Sequence, residues 1–184
     1  MIEDTEILEL YNNGAKDEAF NLIVRKYSQR LYWHIRELCG SHDDADDLLQ
    51  TTLIKVWKGL DGFRSDSKLY TWIWRIATNE TLTFLKRQKF LSLLAFKNYD
   101  TYLMEHVESE PYFNGNKLQL LFDKAILSLP AKQRAVFSLR YFQEMKYEEM
   151  SKILDTSVGA LKASYHHAYT KVKEIIENEW DNEK

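Results

Sequence analysis

SHDDADDLLQTTLIKVWKGLDG, residues 41–62, carries the start and stop signals of a single helix. Ser41 is placed to accept a backbone N–H three residues on, and Asp44 at that position completes the pattern of a capping box. Asp43, Asp44, Asp46 and Asp47 suit the positive end of the helix dipole, and Gly62 follows the last periodic residue. At about 100° per residue, Leu48, Leu49, Thr52, Leu53, Val56, Trp57 and Leu60 fall in one broad stripe, expected to be buried. The opposite face carries Asp47, Gln50, Thr51, Ile54 and Lys58. An isoleucine framed by polar groups on an outward face suits a protein partner. It equally fits an ordinary amphipathic helix with one stray apolar side chain.

Reading outward in both directions, the same signals recur. FRSDSK (63–68) is a polar loop, and YTWIWRIATNETLTFLKR (70–87) is the next helix. There Leu69, Trp72, Ile73, Ile76, Ala77 and Phe84 align on the side expected to be buried; Trp74, Arg75, Thr78, Asn79, Leu82 and Lys86 face elsewhere. An exposed aromatic ring beside cations suits single-stranded nucleic acid, because a ring stacked on an unpaired base contributes roughly 1–3 kcal/mol and the cations hold phosphates. Asn79 could then read a base edge. The competing reading packs Trp74 under the following segment or the second half of the chain. Toward the N-terminus, residues 2–11 form a short amphipathic helix, and NNGAKDEAFNLIVRKYSQRLYWHIRELCG (12–40) forms one long helix or two, ending near Gly40.

Beyond residue 88 the periodicity fades. KFLSLLAFKNYDTYLMEHVESEPYFNGN (89–116) collects Pro111, Asn114, Gly115 and Asn116 and reads as a linker. Four helical runs follow, near 117–128, 130–142, 146–153 and 157–177, with Pro130 suited to a first helical position. YEEMSKILDTSVGALKASYHHAYTKVKEII (147–176) has the form of a helix-turn-helix: a short helix ends near Leu154, a tight turn follows, and Ser157 caps a second helix. The buried stripe of that helix is Val158, Leu161, Tyr165, Ala168, Val172 and Ile176. Its outer face shows Ala160, Ala163, Ser164, His167, Thr170 and Lys171, with Ser157 and Lys162 near the start. Small polar side chains there allow close approach to a major groove, and the helix N-terminus favours phosphate. A helix pair used only for packing is the alternative.

The chain of 184 residues has two prolines, six glycines and helical spacing throughout, so the expected fold is all-α, with two small helical domains joined by a linker. The domains are expected over 1–90 and 117–184, with the linker over 91–116. Cys39, the single cysteine, excludes an internal disulfide. No secretion signal opens the sequence, and no apolar stretch approaches the roughly 20 residues needed to cross a bilayer. A soluble, cytoplasmic protein without membrane insertion is expected. The net charge of −3 argues against a nucleic-acid binder held by bulk electrostatics. Bases and acids nearly balance in residues 1–88 (12 against 14) and 116–184 (11 against 10), so nucleic-acid contact must come from local faces. No enzyme is expected. His166 and His167 are adjacent and point apart, His34, His42 and His106 are scattered, and no glycine-rich phosphate loop occurs. The aspartates at 43–47 fit a helix start, and Cys39 has no base nearby in sequence. No catalytic residue, metal or cofactor is expected.

Three segments in this order resemble the extracytoplasmic-function class of bacterial sigma factors, over residues 16–88 and 117–177. DADDLLQTTLIKVW is similar to the region-two helix that docks on the clamp helices of RNA polymerase. FRSDSKLYTWIWRIATN is similar to the loop and helix that open promoters and recognise the minus-ten element. LPAKQRAVFSLRYFQEMKYEEMSKIL with SVGALKASYHHA is similar to region four, which binds the minus-thirty-five element. The resemblance implies core polymerase contact by Asp47, Gln50, Thr51, Ile54 and Lys58. It implies minus-ten contact and melting by Phe63, Arg64, Ser65, Trp74, Arg75, Asn79 and Lys86. It places Ser157, Lys162, Ser164, His167 and Lys171 on the minus-thirty-five recognition helix. Core RNA polymerase and promoter DNA are the implied partners; relatives often have an anti-sigma factor clamped across both domains. Where relatives commonly carry arginines, this chain has Ser164, His167 and Tyr169, which implies fewer phosphate contacts and a shallower salt dependence. Two other readings compete: a stand-alone helix-turn-helix regulator binding duplex DNA as a dimer, and a helical adaptor or inhibitor that binds a protein and never touches DNA.

Overall fold

Residues 2–95, 98, 99, 101, 103, 104 and 117–182 are described by the computed structural model, with side chains through Glu179. Among them are eight α-helices and no strand: α1 (Asp4–Asn12), α2 (Lys16–Cys39), α3 (His42–Gly59), α4 (Leu69–Leu94), α5 (Lys117–Leu127), α6 (Ala131–Tyr141), α7 (Tyr147–Leu154) and α8 (Val158–Asn182). The all-α expectation holds.

The axis of the front domain is α2, a single helix where sequence left one or two. Ala19, Ile23, Tyr27, Leu31 and Ile35 recur every fourth residue and are buried, so α2 can be gripped along its length. The front domain is built by α1, α3 and α4 packing around it. Gly40 ends α2 in the left-handed region (φ 80°), and a Cβ there would come within 3.0 Å of a Leu103 methyl and 3.1 Å of a Leu127 methyl. Only glycine meets both demands without strain. The Ser41 hydroxyl then accepts the Asp44 N–H at 3.3 Å and starts α3.

One boundary moves. The helix α4 runs to Leu94, past the expected 87, although Phe90, Leu91, Leu93 and Leu94 are exposed. Residues 88–94 are mostly good helix formers, so local propensity rather than a buried stripe carries the last two turns. Of the expected linker, residues 105–116, and with them His106, lie outside the described residues; Leu103 is buried.

In the rear domain α5, α6 and α7 all pack on α8. Its own core is Ala125, Ile126, Leu129, Phe137, Ala168 and Val172. Pro130 stands at the N-cap of α6 with extended ψ (140°), one residue before the first helical position expected for it. Asp155 closes α7 in the left-handed region (φ 49°), and the Ser157 hydroxyl accepts the Ala160 N–H at 3.3 Å, making the tight turn and new start read from sequence.

The two domains lie against each other: α7 and α6 rest on α4 and α2. Met145, Met150, Ile153 and Leu161 belong to the same buried cluster as Ile23, Leu31, Ile73 and Trp74. Polar contacts cross as well. The Arg134 guanidinium donates to the Leu38 carbonyl at 2.5 Å, Lys68 pairs with Glu149 at 2.8 Å, and Arg30 donates to Gln143 at 3.3 Å.

Candidate nucleic-acid interface and docking face

Burial of Ala45, Leu48, Thr52 and Val56 fixes the rotation of α3 about its axis, and that rotation turns Asp47, Gln50, Thr51, Ile54 and Lys58 to solvent. Ile54 is 54% exposed and shares a groove wall with Trp57, 36% exposed, so the two form a contiguous apolar surface rather than one stray side chain. Beside it runs a groove of about 640 Å³ lined by Asp17, Phe20 and Asn21 of α2 and by Gln50, Leu53, Ile54 and Trp57 of α3. Phe20 meets Trp57 edge-on at 5.1 Å. Phe20 adjoins Ala19 of the buried stripe, and nothing in the α2 pattern alone marks its ring as groove wall.

The loop after α3 positions Phe63, half-buried against Trp72 at 5.1 Å, with Arg64 and Ser65 exposed. Ser65 has φ 59°, a left-handed conformation that a non-glycine residue adopts at some cost. Ser65, Ser67, Lys68 and Tyr70 form one side of a pocket of about 560 Å³, closed by Lys26, Tyr27 and Arg30 of α2 and by Glu3, Asp4, Thr5 and Leu8. Asp4 is engaged there by Lys26 (2.7 Å) and the Tyr27 hydroxyl.

On α4, Arg75, Asn79 and Lys86 are exposed as expected. Asn79 and Lys86 edge a cleft of about 860 Å³ whose far side is the α5–α6 turn, including Pro130 and Lys132. Trp74 departs from expectation: its exposure is 0%. The indole packs against Tyr70 (4.2 Å), Tyr27 (5.8 Å) and His34 (6.5 Å), with the Arg30 guanidinium 5.3 Å from its ring. Thr78, also read as outward, is fully buried. The reason is tertiary: α4 has neighbours on α2, α3 and α7, so a helix with one apolar stripe acquires a second inner face. The Trp74 ring therefore cannot meet a base in this arrangement.

On α8, Ser157, Lys162, His167 and Lys171 are exposed and Ser164 is half-buried. Two of these cations already have internal neighbours: Lys171 donates to the Ser128 carbonyl at 3.0 Å, and Lys162 lies 5.7 Å from the Tyr147 ring. Among the described residues no group of three or more His, Cys, Asp or Glu side chains could hold a metal ion. Burial pushes the Cys39 thiol up to about 12, leaving it an unreactive core residue.

The chain has counterparts among known proteins. Residues 23–90 match the Sigma-70 region 2 family, and residues 119–172 match the Sigma-70, region 4 family. The ECF RNA polymerase sigma-E factor of Haemophilus influenzae is 29% identical over 185 residues, which cover 96% of this chain and 95% of the relative. The factor of the same description from Escherichia coli K12 is also 29% identical, with 96% and 94% covered. Among solved structures, the sigma factor RpoE in complex with the anti-sigma factor NepR from Bartonella quintana superposes with a TM-score of 0.68 at 23% identity, covering 86% of this chain and 96% of that one. CnrH in complex with the cytosolic domain of CnrY gives 0.69 at 21% identity, covering 96% and 99%. With both sigma regions matched in order and relatives aligned nearly end to end, the chain belongs to the sigma-70 family, in its extracytoplasmic-function class.

Proposed function

We propose that this sigma factor grips core RNA polymerase through the outer face of α3 and the groove beside it, and contacts the separated promoter strand with Phe63, Arg64, Ser65, Arg75, Asn79 and Lys86. Duplex at the upstream element is read by Ser157, Lys162, Ser164, His167 and Lys171. The units are residues 1–90 and 117–184, with 91–116 between them. As a sigma factor the chain binds core polymerase, directs promoter-specific initiation and is not an enzyme. Opening of the strands draws on binding: unstacking costs a few kcal/mol per base, offset by base capture and polymerase contacts.

The observation that carries this division is the outward face of α3, where Ile54 stays more than half exposed beside an aromatic-walled groove while the helix interior is fully packed. A stand-alone regulator has no use for that face, and an adaptor has none for the capped helix-turn-helix. No described helix is long and apolar enough to cross a membrane. We place the protein in the cytoplasm with its polymerase. Both solved neighbours were captured with an anti-sigma factor or the cytosolic domain of another protein, and an anti-sigma partner is proposed here too.

Promoter engagement requires the domains to separate. Elements roughly 25 base pairs apart at about 3.4 Å per pair lie some 80 Å from each other. A compact globule of this length has a radius of gyration of about 16 Å and so a diameter near 40 Å. The arrangement seen is therefore that of the protein away from its promoter. Gel filtration with purified core polymerase, followed by promoter-dependent transcription with the same components, tests the reading. Co-elution and new promoter-specific starts are expected; a lone regulator would not co-elute, and an adaptor would add no starts above core enzyme.

A further inference from the structure

Between the domains lies a polar cluster that neither docking nor DNA contact uses. His34 of α2, Thr78 of α4 and Ser138 of α6 are each 0% exposed, and Glu37, one turn beyond His34, is half-buried beside them. The two ring nitrogens of His34 are 3.0 Å from the Ser138 hydroxyl and 2.9 Å from the Thr78 hydroxyl. The Ser138 hydroxyl is also 2.5 Å from a Glu37 carboxyl oxygen. So one chain of hydrogen bonds runs from Glu37 on α2 to Ser138 of the rear domain, back to His34 on α2 and on to Thr78 of α4.

That chain can be wired in two ways that keep all three hydrogen bonds. With Glu37 ionised, Ser138 donates to it, the near nitrogen of His34 donates to Ser138, and Thr78 donates to the far nitrogen. With Glu37 protonated, all three bonds reverse: Glu37 donates to Ser138, Ser138 to His34, and His34 to Thr78. The second wiring leaves no charge beside the fully buried His34, Thr78 and Ser138, where an ion is costly. We propose that Glu37, Ser138 and His34 form a proton-linked latch, in which closing the two domains takes up one proton at Glu37 and rising pH releases the rear domain.

Three surroundings bear on this. Burial pushes the Glu37 carboxyl up to about 8; the Ser138 hydrogen bond opposes the rise, and the negative charge of Asp123 on α5 adds to it. From α6, the Arg134 guanidinium is directed to the carbonyls of Leu38, Leu127 and Leu129. From α4, the cluster meets the neutral Thr78 and Trp74. Burial holds His34 down at about 3. The signs follow. Glu37 has a raised value in the closed form, so its contribution to closure is full below its ordinary carboxylate range and is lost as pH rises toward 8. His34 has a depressed value, so its contribution is full above the ordinary imidazole range and falls only in acid. Of the two, only Glu37 titrates with closure from neutrality to about pH 8.5; Lys68 and Tyr70, which face Glu149 across the domain contact, have values raised above ordinary ranges that already lie higher than this.

Small-angle X-ray scattering of the full chain, from about pH 6 to about pH 8.5 at fixed ionic strength, tests the latch. The wild type is expected to start compact, with a radius near the ~16 Å of a closed globule, and to expand as the open-to-closed ratio grows by up to about tenfold per pH unit. Glu37→Gln, which keeps the shape and cannot ionise, is expected to stay compact throughout. An infrared band of a protonated carboxylic acid should fade in the wild type over the same range, and this reading needs no variant. A wild-type radius and infrared band that do not change with pH, or a folded Glu37→Gln protein that expands alongside the wild type, would overturn the latch. Its consequence for transcription, easier promoter engagement in alkaline conditions, rests on the function proposed above; scattering reads closure alone and so fails or succeeds separately.

Discussion

Replacing Trp74 by alanine is expected to destabilise the whole protein by about 3–5 kcal/mol, the usual cost of emptying a fully buried aromatic site. Tyr27, Tyr70, His34 and Arg30 all lose contact with the ring, and Trp74→Phe should recover much of the loss. Chemical denaturation reads it directly. A Trp74→Ala protein of unchanged stability that failed only in strand opening would restore the ring to the DNA surface. Helical periodicity located one inner stripe on α4 correctly but could not show that a second neighbour, α7, would arrive from about 75 residues along the chain to bury the other side. His34 was illegible for the same reason. On sequence it was one of several scattered histidines, and its partners Thr78 and Ser138 are 44 and 104 residues away.

Among the elements, α3 and α8 were the most legible, because caps, stripes and outer faces are local properties; the exception is Trp57, read into the buried stripe of α3 but 36% exposed on the groove wall. Ser41 and Ser157 cap as read, and the outer residues of both helices face solvent, except that Ser164 and Thr170 are half-covered. The groove wall from α2 was not legible, since which flank of a long helix borders a neighbour depends on how the two cross. Ile54→Glu is expected to weaken binding to core polymerase by tenfold or more, as loss of an interface anchor does, while changing stability by no more than about 0.5 kcal/mol. Titration of labelled core enzyme and a thermal melt distinguish the two quantities; a collapsed melt would mean that Ile54 supports the fold. On α8 the cations at the recognition face are Lys162 and Lys171, and in the closed form Lys171 is held by the Ser128 carbonyl. With about two phosphate contacts the isolated interaction with upstream duplex should fall with salt at a log–log slope near −2. A slope several times steeper would place further cations on the DNA.

For the molecule as a whole, the sequence divides the chain into two units, but their apposition rests on contacts between distant residues that periodicity cannot show. That apposition ties the melting loop to the rear domain, because Lys68 stands at the end of the loop and Glu149 in the first turn of α7, 2.8 Å apart. The pair is exposed on the lysine side, where solvent screens it, so it marks the closed state more than it holds it. The buried contacts of Met150, Ile153 and Arg134 hold the domains together. Such a marker can be fixed chemically. A zero-length carbodiimide activates the Glu149 carboxylate, and the Lys68 amine displaces the activating group to leave an amide, joining front to rear without a spacer. In the free protein, mass spectrometry of digested material should find this crosslink in good yield. In the complex with core polymerase and promoter DNA the yield should drop sharply, because two elements some 80 Å apart cannot both be held by a body about 40 Å across. Crosslinking that persists undiminished in a transcribing complex would show that the domains stay together on the promoter, and that this chain reaches its upstream element by some other geometry.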